Sequence, residues 1–121
     1  MSKVILVIED QEDNRRIMRD LLTSADYEIV EAITGEEGVR SAETHHPDLI
    51  LMDIQLPDFD GYEATRRIKA IPTLSAIPII AVTSYALSGD DVKAFKAGCD
   101  AYVSKPFSPR ALLMKIRDIL Q

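Results

Sequence analysis

Two stretches of the chain carry four or more apolar residues without a break and end in carboxylates. Val4-Ile5-Leu6-Val7-Ile8 runs into Glu9-Asp10, and Leu49-Ile50-Leu51-Met52 runs into Asp53. Unbroken apolar runs of this length predict strands covered on both faces, as in a parallel sheet. Further strand-sized runs lie at Glu28–Ala32, centred on Ile29 and Val30, at Pro78-Ile79-Ile80-Ala81-Val82, and at Ala101-Tyr102-Val103-Ser104. Between them the period changes to that of a helix. Ile17, Met18, Leu21, Leu22 and Ala25 make the apolar stripe of a helix from about Asn14 to Ala25. Thr34-Gly35-Glu36-Glu37 has capping-box spacing and opens a second helix, which His45-His46-Pro47 closes. Asp60-Gly61-Tyr62-Glu63 opens a third, ending near Ile71-Pro72. Ser88 caps a fourth that Gly98 terminates. Ser108-Pro109 starts a fifth that buries Leu112, Leu113, Ile116, Ile119 and Leu120.

Five strands alternating with five helices suit right-handed crossovers in a parallel α/β sheet with helices on both faces. The expected architecture is a doubly wound five-stranded sheet, order 2-1-3-4-5, of the flavodoxin-like kind. No linker, repeat or low-complexity segment interrupts the pattern, so residues 1–121 are expected to form a single domain with no output domain.

Composition narrows the function. A hydrophobic content of 46% with 28% charged residues is that of a soluble globular domain. The formal net charge of −6 argues against nucleic acid and anionic membrane surfaces as partners. Every apolar run is too short to span a bilayer, and Met1-Ser2-Lys3 leaves no room for a signal peptide. Cys99 is the single cysteine and reads as a small core residue. A cytoplasmic protein is expected.

The candidate chemistry sits at the strand ends. Strand one ends in Glu9-Asp10, strand three in Asp53, strand four in Thr83 and strand five in Lys105. In a parallel sheet these ends share one edge, and the 2-1-3-4-5 order opens its crevice between strands one and three. Three carboxylates gathered there repel one another and call for a counter-charge. All-oxygen donors with no Cys or His point to a hard cation, Mg²⁺ above all. A carboxylate nucleophile with a metal, a hydroxyl and a lysine is a set suited to phosphoryl transfer onto Asp53.

At these residues the chain resembles a response regulator receiver domain of two-component signalling, of the stand-alone DivK type or clipped from a hybrid kinase. The resemblance covers Val4 to Leu120. It is carried by Val7-Ile8-Glu9-Asp10, by Leu51-Met52-Asp53-Ile54-Gln55-Leu56-Pro57 with Asp60-Gly61, by Ala81-Val82-Thr83, and by Tyr102-Val103-Ser104-Lys105-Pro106-Phe107. It implies that Asp53 accepts a phosphoryl group from a sensor histidine kinase or histidine phosphotransfer protein. The chain would promote its own Mg²⁺-dependent phosphorylation and dephosphorylation without being an enzyme on other substrates. Asp10, Asp53 and the Gln55 backbone carbonyl would hold Mg²⁺, with Glu9 acting mainly through a metal-bound water. Thr83 and Lys105 would bind phosphoryl oxygens, and the Lys105–Pro106 peptide would be cis.

The resemblance also implies a switch in which Thr83 moves inward on phosphorylation and Tyr102 follows from an exposed to a buried rotamer. Asn14, Arg15, Met18, Pro106 and Phe107 would dock the kinase's helical bundle, although Met18 also suits the core. The surface of helix four, strand five and helix five would serve a downstream protein target or a homodimer. Glu9 stands where many receivers have Asp, with the same charge on a longer arm. Bulky Tyr85, two residues after Thr83, is expected to slow loss of the phosphoryl group.

Other readings fit less well. A haloacid dehalogenase-type phosphatase needs a second Asp two residues after the nucleophile, where this chain has Gln55. A flavodoxin needs a phosphate-cradling first loop, whereas Glu9-Asp10-Gln11-Glu12-Asp13 would repel phosphate. A degenerate receiver is disfavoured by the presence of Asp10, Asp53, Thr83 and Lys105 together. His45 and His46 read as solvated helix-end cations, and Arg66, Arg67 and Lys69 as a solvated face.

Overall fold

The computed structural model describes residues 2–83 and 90–121. Five strands and five helices alternate: β1 (Val4–Ile8), α1 (Glu12–Ser24), β2 (Glu28–Ala32), α2 (Gly35–His45), β3 (Leu49–Asp53), α3 (Gly61–Lys69), β4 (Ile79–Thr83), α4 (Asp90–Ala97), β5 (Ala101–Ser104) and α5 (Pro109–Leu120). The strands are parallel in the order β2-β1-β3-β4-β5. The expected fold class is therefore the one observed. Ser84, Tyr85 and Ser88 lie outside the described residues.

The continuous apolar runs are explained by the layers. Alternate residues of β1, β3 and β4 face opposite sides of the sheet. Leu6, Ile8, Ile50, Met52, Ile79 and Ala81 pack against Ala42 of α2, Ala64 and Ile68 of α3 and Ala94 of α4. Ile5, Val7, Leu49, Leu51, Ile80 and Val82 pack against Met18 and Leu22 of α1 and Leu112 and Ile116 of α5. All five residues of β3 are buried, Asp53 included. Neither face of the central strands reaches water.

Helix starts follow their predicted caps. Thr34 Oγ1 accepts the Glu37 N–H at 3.0 Å, Asp60 Oδ1 accepts that of Glu63 at 2.9 Å, and Ser108 Oγ accepts that of Ala111 at 3.3 Å. Gly98, at φ +113, carries the chain out of α4 in a conformation that favours glycine. Three details differ from the sequence reading. α1 starts two residues earlier, and its stripe is centred on Met18 and Leu22, spaced four apart; Ile17, one step round the helix, is 54% exposed. α3 stops at Lys69 with Ala70 as its C-cap, short of Ile71. Lys69 itself is not a solvated cation. Its ammonium donates to the carbonyls of Ser75 (3.2 Å) and Ile77 (2.8 Å) and pairs with Asp100 at 3.3 Å, tying the turn before β4 to the start of β5.

Candidate functional site

The register brings the polar strand ends to one edge. Asp53 closes β3 opposite Val82, and Thr83 closes β4 opposite Ser104. Glu9, just past β1, is held to the sheet by its N–H bond to the Ala32 carbonyl at 3.0 Å. The Lys105 N–H bonds the Thr83 carbonyl at 2.6 Å, and the Lys105–Pro106 peptide is cis, as expected. Glu9, Asp53 and Thr83 are all buried. Buried groups of this kind persist only where partners compensate their lost hydration.

The partners are one another. Lys105 Nζ lies 2.7 Å from Glu9 Oε1 and 3.6 Å from Asp53 Oδ1. The Gln11 N–H reaches Glu9 Oε2 at 3.1 Å, and the Gln55 N–H reaches Asp53 Oδ1 at 3.2 Å. Glu9, Asp10 and Asp53 can each place one carboxylate oxygen within 4.8 Å of the others. One ammonium among three carboxylates leaves excess negative charge, and the ionisation of the pair reflects it. Burial pushes the Asp53 carboxyl up to about 7, with the hydrogen bond and negative charge of Glu9 acting the same way. Burial pushes Glu9 up as well, but hydrogen bonds from Asp53, Lys105 and the Gln11 N–H outweigh it and hold Glu9 below its ordinary value. Of the two, Glu9 is the one the site favours ionised and Asp53 the one it favours protonated. The all-oxygen donor set, its convergence and its surplus charge fit Mg²⁺. A cleft of about 340 Å³ opens above it, lined by Asp10, Asp53, Gln55 and Lys105 among others.

The turn after Asp53 is tied to α2 and α3. Asp58 accepts the N–H groups of Gly35 (2.8 Å) and Glu36 (2.9 Å), capping the start of α2. The Arg67 guanidinium lies 3.9 Å from the centroid of the Phe59 ring. Gly61 donates to the Ile54 carbonyl at 2.8 Å, and a Cβ there would overlap the Asp53 carbonyl oxygen and lie 2.8 Å from Ile54 Cα. Gly61→Ala is therefore expected to cost about 2–3 kcal/mol in urea unfolding, since backbone must shift to admit the methyl. It should also move the Asp53 peptide, the group displaced, and with it the carboxylate at the strand tip.

The remaining predicted residues divide. Thr83 is buried at the end of β4, while Tyr102 on β5 is half-buried and packs against the core on the α2–α4 side. Asn14, Ile17, Met18, Lys105, Pro106 and Phe107 line a groove of about 480 Å³ between α1 and the β5–α5 loop. Met18 takes the core alternative, at 2% exposure, so the exposed apolar side chain of α1 there is Ile17. Sequence periodicity assigned Ile17 to the core, and that concealed it. Arg15 is also not a free docking cation. It bonds the backbone carbonyls of Glu9 and Asp10 and pairs with Glu12 and Glu31. Cys99 is buried, 3.6 Å from the Thr65 hydroxyl, as a core residue.

Known proteins resemble this chain in sequence and fold. The family model described as the response regulator receiver domain matches residues 5–117. The polar-differentiation response regulator DivK of Brucella ovis is 42% identical over 120 residues, covering 99% of this chain and 98% of that protein. The receiver domain of a sensor histidine kinase from Pseudomonas aeruginosa, solved with a magnesium ion coordinated in its active-site cleft, superposes with a TM-score of 0.92. It shares 38% identity over 99% of this chain and 98% of its own. A CheY-like receiver domain protein from Methanospirillum hungatei superposes at 0.90 with 36% identity, over 99% and 94% of the two chains. With strand ends, fold and sequence in agreement, the chain belongs to the response regulator receiver domain family of two-component signalling, which works through phosphorylation.

Proposed function

We propose that Asp53 is the phosphoacceptor and that the protein receives its phosphoryl group from a histidine kinase or histidine phosphotransfer protein. The observation that carries this is the buried Asp53 carboxylate at the tip of β3, with Lys105 Nζ 3.6 Å away and the Glu9 and Asp10 carboxylates beside it. An Asp53 oxygen attacks phosphorus as the P–N bond to the donor imidazole breaks. The imidazole nitrogen leaves with that bond's electron pair, and the ring departs neutral with its proton on the other nitrogen. Lys105 and Thr83 receive the phosphoryl oxygens, Lys105 by charge and Thr83 by its hydroxyl. Asp10, Asp53 and the Gln55 carbonyl would hold Mg²⁺, with Glu9 behind them; when bound it supplies positive charge against the transferring oxygens. The protein acts on itself as acceptor, not on a separate substrate. Incubation with acetyl phosphate and Mg²⁺ should add one phosphoryl group to the intact mass, and Asp53→Asn or EDTA should prevent it. An adduct of equal yield on Asp53→Asn would refute the assignment.

The groove between α1 and the β5–α5 loop, with Ile17, Asn14, Pro106 and Phe107 at its surface, supports docking of a helical donor beside the cleft. Ile17→Asp should lower transfer from a phosphorylated protein donor about 10-fold or more. Transfer from acetyl phosphate, which needs no groove, should be unchanged. Val92 and Phe95 of α4 and Met114 of α5 are exposed. That suits the α4–β5–α5 face to an output partner or a second copy after phosphorylation, through the Thr83–Tyr102 switch. The whole reading places the protein in the cytoplasm. No helix among the described residues is long and apolar enough to cross a membrane.

A further inference from the structure

We infer that Arg15 is a positioning residue for the metal site: it sets the backbone that carries Glu9 and Asp10, and through it the affinity for Mg²⁺. The inference rests on the site reading above and concerns a residue that touches neither metal nor phosphoryl group in that reading. Arg15 Nη1 donates to the carbonyl oxygen of Glu9 at 3.0 Å and to that of Asp10 at 3.2 Å. Two successive peptide planes are thereby fixed by one nitrogen of the guanidinium, leaving Nε and Nη2 free to anchor the group elsewhere, which lysine's single ammonium on a shorter arm cannot do. The same guanidinium is held from behind, Nε lying 3.3 Å from Glu31 Oε1 on β2 and Nη2 pairing with Glu12 on α1. Glu31 is fixed in turn by the two-pronged pair with Arg19, at 2.7 and 2.8 Å. Arg15 therefore braces the β1–α1 turn against both β2 and α1.

The two carboxylates of that turn do not depend on the brace equally. Glu9 has side-chain anchors of its own in Lys105 and the Gln11 N–H. For Asp10 the structure gives, among the described residues, one side-chain hydrogen bond, at 3.4 Å from the exposed Gln11 amide. Its convergence with Glu9 and Asp53 is therefore set by its backbone, which Arg15 holds. Holding three like charges together before a cation arrives costs free energy that only a stiff scaffold can meet.

Charge and geometry make opposite predictions here. Removing a cation near three carboxylates should tighten Mg²⁺ if Arg15 acted by charge alone. It should weaken Mg²⁺ if Arg15 acts by position, about 10-fold for an outer-shell support of this kind. The test is calorimetric titration of MgCl₂ into wild type, Arg15→Gln, Arg15→Lys and Arg19→Gln, with thermal unfolding of each in parallel. The expected result is a Kd about 10-fold higher for Arg15→Gln and several-fold higher for Arg15→Lys. Arg19→Gln, which loses the same charge and a Glu31 partner but no carbonyl contact, should stay within about 2-fold of wild type. Arg15→Lys keeps the charge and serves alone should Arg15→Gln not fold. An unchanged or tighter Kd in Arg15→Lys overturns the inference, whatever happens to Tm. An equal weakening in Arg19→Gln overturns it too, because general destabilisation would then account for the loss. Wild-type protein that fails to bind Mg²⁺ would refute the site reading itself, and this inference with it.

Discussion

Lys105→Ala is expected to lower the rate of Asp53 phosphorylation by about two to three orders of magnitude, while Mg²⁺ binds more tightly than to wild type. Both effects follow from where the ammonium sits. It lies 2.7 Å from Glu9 and 3.6 Å from Asp53, so it neutralises the charge that also attracts the cation, and the two compete. Loss of the competitor favours the metal. Loss of a positive charge aimed at the transferring oxygens disfavours the transition state, and a second cation at the metal position does not replace it. The variant should also be less stable without metal, because Glu9 is fully buried and would be left without its ion-pair partner. Breaking a buried pair on one side costs about 3–5 kcal/mol when nothing compensates. Protonation of Glu9 will recover part of that, so a loss of about 2 kcal/mol in urea unfolding with EDTA is expected, largely restored by Mg²⁺. Rates with acetyl phosphate and unfolding with and without metal check both halves. Tighter Mg²⁺ here and weaker Mg²⁺ in Arg15→Lys would separate a residue acting by charge from one acting by position.

Asp53→Asn is expected to make the metal-free protein more stable than wild type above pH 7, and this advantage should vanish as the pH falls. Burial first, then Glu9, raise Asp53 from 3.8 to about 7 in the folded protein. A carboxyl whose folded pKa is raised contributes stability that is fully present below the unfolded pKa and is lost as pH rises through the folded one. The window is thus from about pH 4 to somewhat above pH 7. Asparagine copies the protonated acid: it is neutral and can donate to Glu9 at every pH. The shift bounds the difference at ~4 kcal/mol at pH 8, and relaxation around a coupled pair will leave about 2 kcal/mol. Added Mg²⁺ should reverse the order, since only wild type has the third carboxylate and binding stabilises it by mass action. Urea unfolding at pH 5 and pH 8, each with EDTA and with Mg²⁺, reads all four corners. Greater wild-type stability at pH 8 in EDTA would contradict the shared-proton arrangement.

Much of this molecule was legible in its sequence because its signals were local. Apolar runs at β1, β3 and β4 need both faces covered, and Thr34, Asp60 and Ser108 are caps whose acceptor and donor lie three residues apart. The strand-end rule alone brings Glu9, Asp10, Asp53, Thr83 and Lys105 to one edge. What it could not provide was pairing across long separations. That Lys105 sits on Glu9, 96 residues away, and leaves Asp53 the proton depends on side-chain reach, which strand order does not encode. Sequence gives Arg15 a docking role and no bracing role for a related reason: two of its partners are backbone carbonyls, and carbonyls carry no residue signature. Lys69 looks solvated in the sequence because its acceptors, the Ser75 and Ile77 carbonyls, are equally silent there. Ile17 and Met18 show the limit of periodicity, since adjacent apolar residues differ by about 100° around a helix and only one can face the core.

The central claim is that Asp53, not a neighbouring carboxylate, carries the phosphoryl group. Borohydride reduction of the acetyl phosphate-treated protein, followed by peptide mass mapping, tests it most directly. An acyl phosphate is reduced to an alcohol, so phosphorylated Asp53 becomes homoserine, and modified Glu9 or Asp10 would be marked at their own positions. We expect homoserine at position 53 alone, dependent on Mg²⁺. Reduction at position 9 or 10, or at several positions regardless of metal, would contradict the account.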